Sequence, residues 1–423
     1  MTSYQYTETI LEKSNKFTQI RDKINFILLF LFALNAIFLP ADTFQVKKIA
    51  LFLLLAINYD CFLKILKHRN NRDELLIVFF GFLLTSFSIG WSFLLTGNLF
   101  DNIRIGYVGY ILLLYPIIKR SHVNFIKLVG HILIAMAYFV VIMGLLDLVG
   151  LIPMHDNPYL MWIYDTENAL VGKGSHLATG YVIFMKTSPM LFLSLAYAFL
   201  EPRSFMHPMS FSKIKYVNAI VISIALFLSG TRANLLICVL FALFCYVYCK
   251  RSPLKQKIFM FTACILMLYF LGDGSLFGSI WDMFVRKASS DEVRNGIMES
   301  IFQVWEDNPI KLFLGSGFSQ TFYNAGRGEY SYNVELSFWN LLRQLGIPLF
   351  VLTMVCYLYP AMRLLKEQRN TLIVMGYVCY LIIAYTNPLL HSSTGMTVLL
   401  FMYCLCFEKV DYESNQIEED LLI

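Results

Sequence analysis

Apolar runs of near-bilayer length recur along almost the whole chain, and no other feature limits the possible folds so strongly. They fall at about 24–40, 48–66, 74–95, 101–118, 123–150, 181–200, 215–230, 233–249, 258–272, 334–360, 371–388 and 394–407. Each is close to the ~20 residues that a helix needs to cross the hydrocarbon of a bilayer. Lipid offers no water to backbone N–H and C=O groups, so such runs must satisfy them internally, as helices. The expected fold is an all-α polytopic membrane protein with about twelve transmembrane helices. Composition agrees: 57% of the 423 residues are hydrophobic, 15% are charged, and the mean hydropathy is +0.60. This makeup excludes intrinsic disorder, a nucleic-acid-binding surface and a disulfide-stapled secreted fold.

The net charge of +5 matters less than its placement. Lys64/Lys67/Arg69/Arg72, Lys119/Arg120/Lys127, Arg203/Lys213/Lys215, Lys250/Arg251/Lys255/Lys257 and Arg363/Lys366/Arg369 occupy every second connector. Counting the tails with them puts 22 Lys and Arg on one side and 10 on the other. The positive-inside rule then makes both termini cytoplasmic. The chain divides into a cytoplasmic tail at 1–23, one transmembrane domain at 24–407 and a second cytoplasmic tail at 408–423. Charges such as Glu12, Lys13 and Lys16 give the start no signal-peptide character. The nine cysteines sit in or beside spans, so neither a disulfide framework nor a zinc site is expected.

Two external segments are long, 151–180 and 273–333, the second lying between helices 9 and 10, and they direct attention to the outer face. In the larger one, Ser289 and Glu292 have capping-box spacing, and Val293, Ile297, Ile301 and Trp305 follow at helical intervals until Asn308-Pro309. This predicts an amphipathic helix over the membrane mouth, with Arg294 off its apolar stripe, placed to meet a polar ligand or solvent.

At Phe227-Leu228-Ser229-Gly230-Thr231-Arg232-Ala233-Asn234 an apolar run breaks and resumes at once. The second span starts at the outer face, so Arg232 stands by free N–H groups and a positive dipole end, a setting suited to a phosphate or diphosphate. Snorkelling to lipid phosphate is the plainer role. A third cluster, Asn333-Val334-Glu335 to Arg343-Gln344, opens the tenth span, where ionisable groups point to function. Glu335 is a general-base candidate if partly buried, with a structural carboxylate as the alternative. Arg343, eight residues on at ~100° each, falls on nearly the opposite face. Asn58, Asp60, Asp147, Lys186 and His131 carry no assignment. His391 follows the Asn387-Pro388 break and is placed to reach the same mouth. All five tryptophans lie on the outer half, and Trp305 and Trp339 are candidates for sugar stacking or an interfacial belt.

Several motifs are absent. Val171-Gly172-Lys173-Gly174 fails the phosphate-loop pattern, since position 167 is Glu and Gly follows the lysine. No H-E-x-x-H, D-x-D or G-x-S-x-G occurs, and no metal or cofactor is expected; the donor should be preactivated and membrane-borne.

The sequence resembles the O-antigen polymerase and O-antigen ligase family of bacterial envelope glycosyltransferases. Leu228-Ser229-Gly230-Thr231-Arg232-Ala233-Asn234-Leu235 matches its Ser-x-x-Arg span break. The match continues with Arg294, Trp305-x-x-x-Pro309, Gly315-Ser316-Gly317-Phe318 and Val334-Glu335-Leu336 through Gln344-Leu345-Gly346-Ile347. The resemblance implies a multi-pass protein of the bacterial cytoplasmic (inner) membrane. It implies a metal-independent, inverting transfer at the outer face, from polyprenyl diphosphate to a sugar hydroxyl. It assigns Arg232 and Arg294, with Arg327 as a further contact, to the diphosphate, and Glu335 to the acceptor hydroxyl. The implied partners are the polyprenyl-diphosphate-linked oligosaccharide and membrane lipid, with a chain-length regulator and a flippase alongside, and no nucleic acid. Family ligases commonly carry a histidine near the end of the large loop; residues 273–333 contain none. That favours a polymerase of O-antigen, capsule or exopolysaccharide repeat units over a ligase to lipid A core. A lipid-linked oligosaccharide flippase or other transporter is the alternative from another class, although no internal repeat of the transporter kind is visible.

Overall fold

The computed structural model describes residues 3–41, 44–67, 72–121, 123–173, 181–200, 212–229, 234, 237–238, 240–241 and 288–408. The expected spans at 233–249 and 258–272, Arg232, Trp281 and the C-terminal tail beyond 408 lie largely or wholly outside these residues. The described chain is mostly helical. Arg72–Thr96, Phe125–Leu148 and Ser337–Lys366 are long and apolar enough to cross a membrane. The pair Val46–Ile57 and Tyr59–Lys67, bent by 53°, makes a fourth if it is one span. Shorter apolar helices at Val217–Leu228, Thr371–Tyr385 and Ser393–Cys406 pack with them. This is a helical membrane protein.

The first helices are α1 (Ser3–Phe38), α2 (Val46–Ile57), α3 (Tyr59–Lys67), α4 (Arg72–Val78), α5 (Thr85–Thr96), α6 (Leu99–Gly106), α7 (Leu114–Arg120), α8 (Phe125–Leu148), α9 (Pro158–Asp165), α10 (Leu191–Leu200) and α11 (Ser212–Leu228). A π-helical turn, Phe79–Leu84, joins α4 to α5. The expected span at 101–118 is instead α6, a 3-10 stretch at Tyr107–Leu113 and α7.

The expected span at 181–200 also differs. Its first residues, Tyr181–Met185, form strand β2 against β1 (Ala169–Lys173), with Val171 opposite Ile183. The β-branched and aromatic run suits a pleated surface, and only Leu191–Leu200 is α-helical. Sequence hydropathy alone does not separate such a strand from the start of a helix. The fold is therefore not purely α.

Charged side chains meet in pairs. Arg21 reaches Asp60 at 3.3 Å, Lys119 reaches Glu74 at 2.9 Å, Arg363 reaches Asp73 at 3.0 Å, and Arg369 donates to the Glu408 carbonyl at 3.1 Å. Lys64 also reaches Asp60, at 3.4 Å, so three of the five basic clusters have acidic neighbours. The unassigned polar residues have local partners: Asn58 pairs with Asn25, Asp147 accepts from the Met154 amide at 2.7 Å, Lys186 lies 4.0 Å from Glu167, and His131 sits edge-on to Tyr197. Lys47, buried, donates to the Pro40 carbonyl and to Ser393 Oγ. The described cysteines are buried.

After the undescribed residues the chain resumes with α12 (Ala288–Asp307), whose bounds include Ser289. Next come α13 (Ile310–Leu314) and a hairpin of β3 (Phe322–Asn324) and β4 (Glu329–Ser331). The chain then enters α14 (Ser337–Lys366), α15 (Thr371–Tyr385) and α16 (Ser393–Cys406). The predicted apolar stripe becomes a small separate core, in which Ile297, Ile301 and Trp305 pack with Phe322, Val334 and Leu336.

Helix α14 is broken at Gly346 (φ 71°, ψ 170°), two residues before Pro348. The break releases the carbonyls of Arg343 and Gln344, which accept from the amides of Ser316 and Gly317 at 2.8 and 2.9 Å. Pro348 has no N–H to offer Gln344. Contact is close on both sides: a Cβ on Gly346 would stand 2.3 Å from the Phe313 carbonyl, and one on Gly315 2.5 Å from that of Gln344. The glycine turn is thereby laid against the broken helix, and Trp91 fastens it from α5 by donating to the Leu314 carbonyl at 2.7 Å.

Candidate functional site

Hairpin β3–β4 is held from two sides. Toward α12, the Ala325 amide donates to Ser300 Oγ at 2.9 Å, and Gly326 meets Gly296 so closely that a Cβ on Gly326 would stand 2.1 Å from the Val293 carbonyl. Toward α14, Arg343 binds both ends of the hairpin segment. Its guanidinium donates to the carbonyls of Gln320 (3.2 Å) and Tyr332 (2.9 Å) and to Asn340 Oδ1 (2.9 Å), and lies 4.3 Å from the Phe322 ring centroid. Gln344 adds a bond to the Tyr332 carbonyl at 3.0 Å. Arg343 is fully buried and has no carboxylate partner among the described residues. Such a cation is satisfied by carbonyl dipoles, and its role is to position the hairpin.

So fixed, hairpin and α12 enclose an open pocket of ≈470 Å³ lined by Val293, Arg327, Glu329 and Glu335. Arg327 comes from the tight turn, where its amide and that of Gly328 both donate to the Asn324 carbonyl. Its guanidinium bonds and ion-pairs with Glu335. Glu335 precedes α14 instead of lying in its first turn, between the buried anchors Val334 and Leu336. Its side chain keeps 30% exposure, so this carboxylate is partly exposed and paired with a cation. Arg327, expected at a diphosphate, is engaged by that carboxylate. Glu329, which the sequence did not single out, makes no ion pair among the described residues.

The other expected site residues are not all here. Arg294 is half-buried on α12 beside Val293 and already engaged with a neighbouring group. Trp305 is buried, its ring 6.1 Å from that of Trp339 with Phe302 packed on both, while Trp339 is only partly covered and its Nε1 donates to Tyr385 Oη at 3.2 Å. Trp305 packs where its apolar stripe meets the small second core, and burying its indole stabilises that core. His391 turns inward. Its ring stacks on Phe318 at 5.1 Å and 5° and borders an internal cavity of ≈30 Å³ with Thr85, Ser88 and Tyr357, about the size of one water. Neither ring nitrogen has a hydrogen-bond partner, and burial pushes the imidazole down to about 4. It does not line the Glu335 pocket.

One helical turn beyond Glu335, an apolar groove of ≈570 Å³ runs between α14 and α15, lined by Phe338, Trp339, Leu342, Phe350, Leu381 and Tyr385 among others. A charged pocket and an apolar groove therefore adjoin along the same stretch of chain. No protein-family model matches this chain, and no curated protein matches it.

Proposed function

We propose that the protein polymerises lipid-linked oligosaccharide repeat units at the outer face of the bacterial cytoplasmic membrane. In this reading the chain crosses the bilayer about twelve times with both tails cytoplasmic, and the segments 151–180 and 273–333 are external. The observation that carries it is the meeting of Glu335 with Arg327 in an open pocket of α12 and the hairpin, one helical turn from an apolar groove. The lipid-linked acceptor has a long apolar tail and a hydroxyl-rich sugar, and adjoining apolar and polar surfaces suit both parts.

The acceptor hydroxyl oxygen attacks the anomeric carbon of the donor sugar with inversion. Its bond to the diphosphate oxygen breaks, and the polyprenyl diphosphate departs with the electron pair. Glu335 takes the hydroxyl proton. Arg232 and Arg294 meet the charge that develops on the diphosphate, a task for preorganised cations. Arg327 holds Glu335 in place.

The test is a gel assay of purified protein in lipid with a polyprenyl-diphosphate-linked repeat unit, a chelator and no nucleotide. A product ladder is expected, reduced about 100-fold in Glu335→Gln. No ladder from authentic substrate overturns the reading. Transfer to added lipid A core would make the protein a ligase, and movement of the lipid without bond formation a transporter.

A further inference from the structure

The walls of the pocket carry one guanidinium, Arg327, and two carboxylates, Glu329 and Glu335. The first two of these charges that meet, Arg327 and Glu335, cancel, and Glu329 leaves the pocket net negative. A diphosphate brought here would face an uncompensated carboxylate, whereas a group rich in hydroxyls would find acceptors.

A second observation comes from the strand across from Glu329. Asn324, its partner in the hairpin register, is fully buried, yet neither its side-chain oxygen nor its nitrogen has a hydrogen-bond partner. A buried carboxamide left unsatisfied is costly, and it marks a place where an added polar partner completes the bonding. Its backbone carbonyl already anchors the turn that presents Arg327. An open charged wall and an incomplete buried amide therefore stand on the same hairpin.

We infer that this pocket is the acceptor-sugar subsite, with Glu329 as the carboxylate that binds the acceptor's hydroxyls, carried on a hairpin whose buried Asn324 lies across from it outside the lining. The inference rests on the transfer reading for its role in catalysis, but the binding itself does not require transfer. Glu329 touches the acceptor. Arg327 is a positioning residue that acts through Glu335. The donor diphosphate binds elsewhere, away from this negative wall.

The test uses full-length protein in lipid nanodiscs and, as probe, a methyl glycoside of one repeat unit prepared from the host's own surface polysaccharide. Binding is read by saturation-transfer NMR, with inorganic pyrophosphate as the competing probe, and thermal melting checks the fold of each variant. Glu329→Gln is expected to weaken glycoside binding about 10-fold, the loss of one charge-assisted hydrogen bond, and to raise the acceptor KM while the donor KM holds. Glu329→Asp should recover part of the binding. Glycoside binding unchanged in Glu329→Gln would overturn the inference, and so would a pyrophosphate signal that is lost in the same variant. If glycoside binding falls in Glu329→Gln while wild type makes no ladder, the subsite stands and the polymerase reading falls.

Discussion

Arg343 and Glu335 are eight positions apart and answer to different physics. The sequence places them on nearly opposite faces of one helix and favours Glu335, if partly buried, as the general-base candidate. Glu335 lies ahead of the helix and pairs with Arg327; Arg343 is the fully buried cation, bonded to carbonyls of a hairpin that lies close only after folding. His391 shows how burial sets a titration. Its folded-state value is pushed from 6.5 down to about 4. Between those values the unfolded chain binds a proton that the folded protein does not. Its contribution to stability is complete above pH 6.5 and is lost as the pH falls toward 4. The loss is on the order of 3 kcal/mol. Thermal melting in detergent across this range should show the decline in wild type and a shallower one in His391→Asn.

At the scale of elements, the broken helix α14 and the glycine turn depend on each other. Gly346→Ala must place a methyl group against the Phe313 carbonyl at a positive φ, at a cost of at least about 2 kcal/mol. Gly97→Ala also demands a positive φ but meets open space, and should cost about 1 kcal/mol. Denaturant titration of the two variants measures the difference, and equal losses would deny the packing role. The amphipathic helix was legible because its stripe is a local period: Val293, Ile297, Ile301 and Trp305 recur whatever the rest of the chain does. Strand β2 was not, since a short apolar run reads alike as strand or helix until Ala169–Lys173 lies beside it.

Across the whole molecule, ion pairs draw Arg21, Asp60, Glu74, Lys119, Arg363 and Glu367 together, while the pocket lies with α12 and the hairpin and the groove between α14 and α15. If those pairs are cytoplasmic, sidedness is directly measurable. In a cysteine-free background, Tyr330→Cys on the hairpin should react with an impermeant maleimide in intact cells. Lys366→Cys, at the far end of α14, should react only after permeabilisation. Labelling of both in intact cells would overturn the topology.

By itself the sequence determined that the chain is a helical membrane protein, where the three long apolar helices at Arg72–Thr96, Phe125–Leu148 and Ser337–Lys366 run and which stripe of α12 is apolar. Those properties follow from hydropathy and period, which act over neighbouring residues. Tertiary structure decided that Arg327 meets Glu335, that Glu329 faces their pocket, that Trp305 is buried in the small second core while Trp339 borders the groove, and that His391 turns inward. These contacts bring together segments separated in the chain, and their geometry depends on the hairpin, the break at Gly346 and the buried Arg343 acting at once. Local pattern carries no record of such closures.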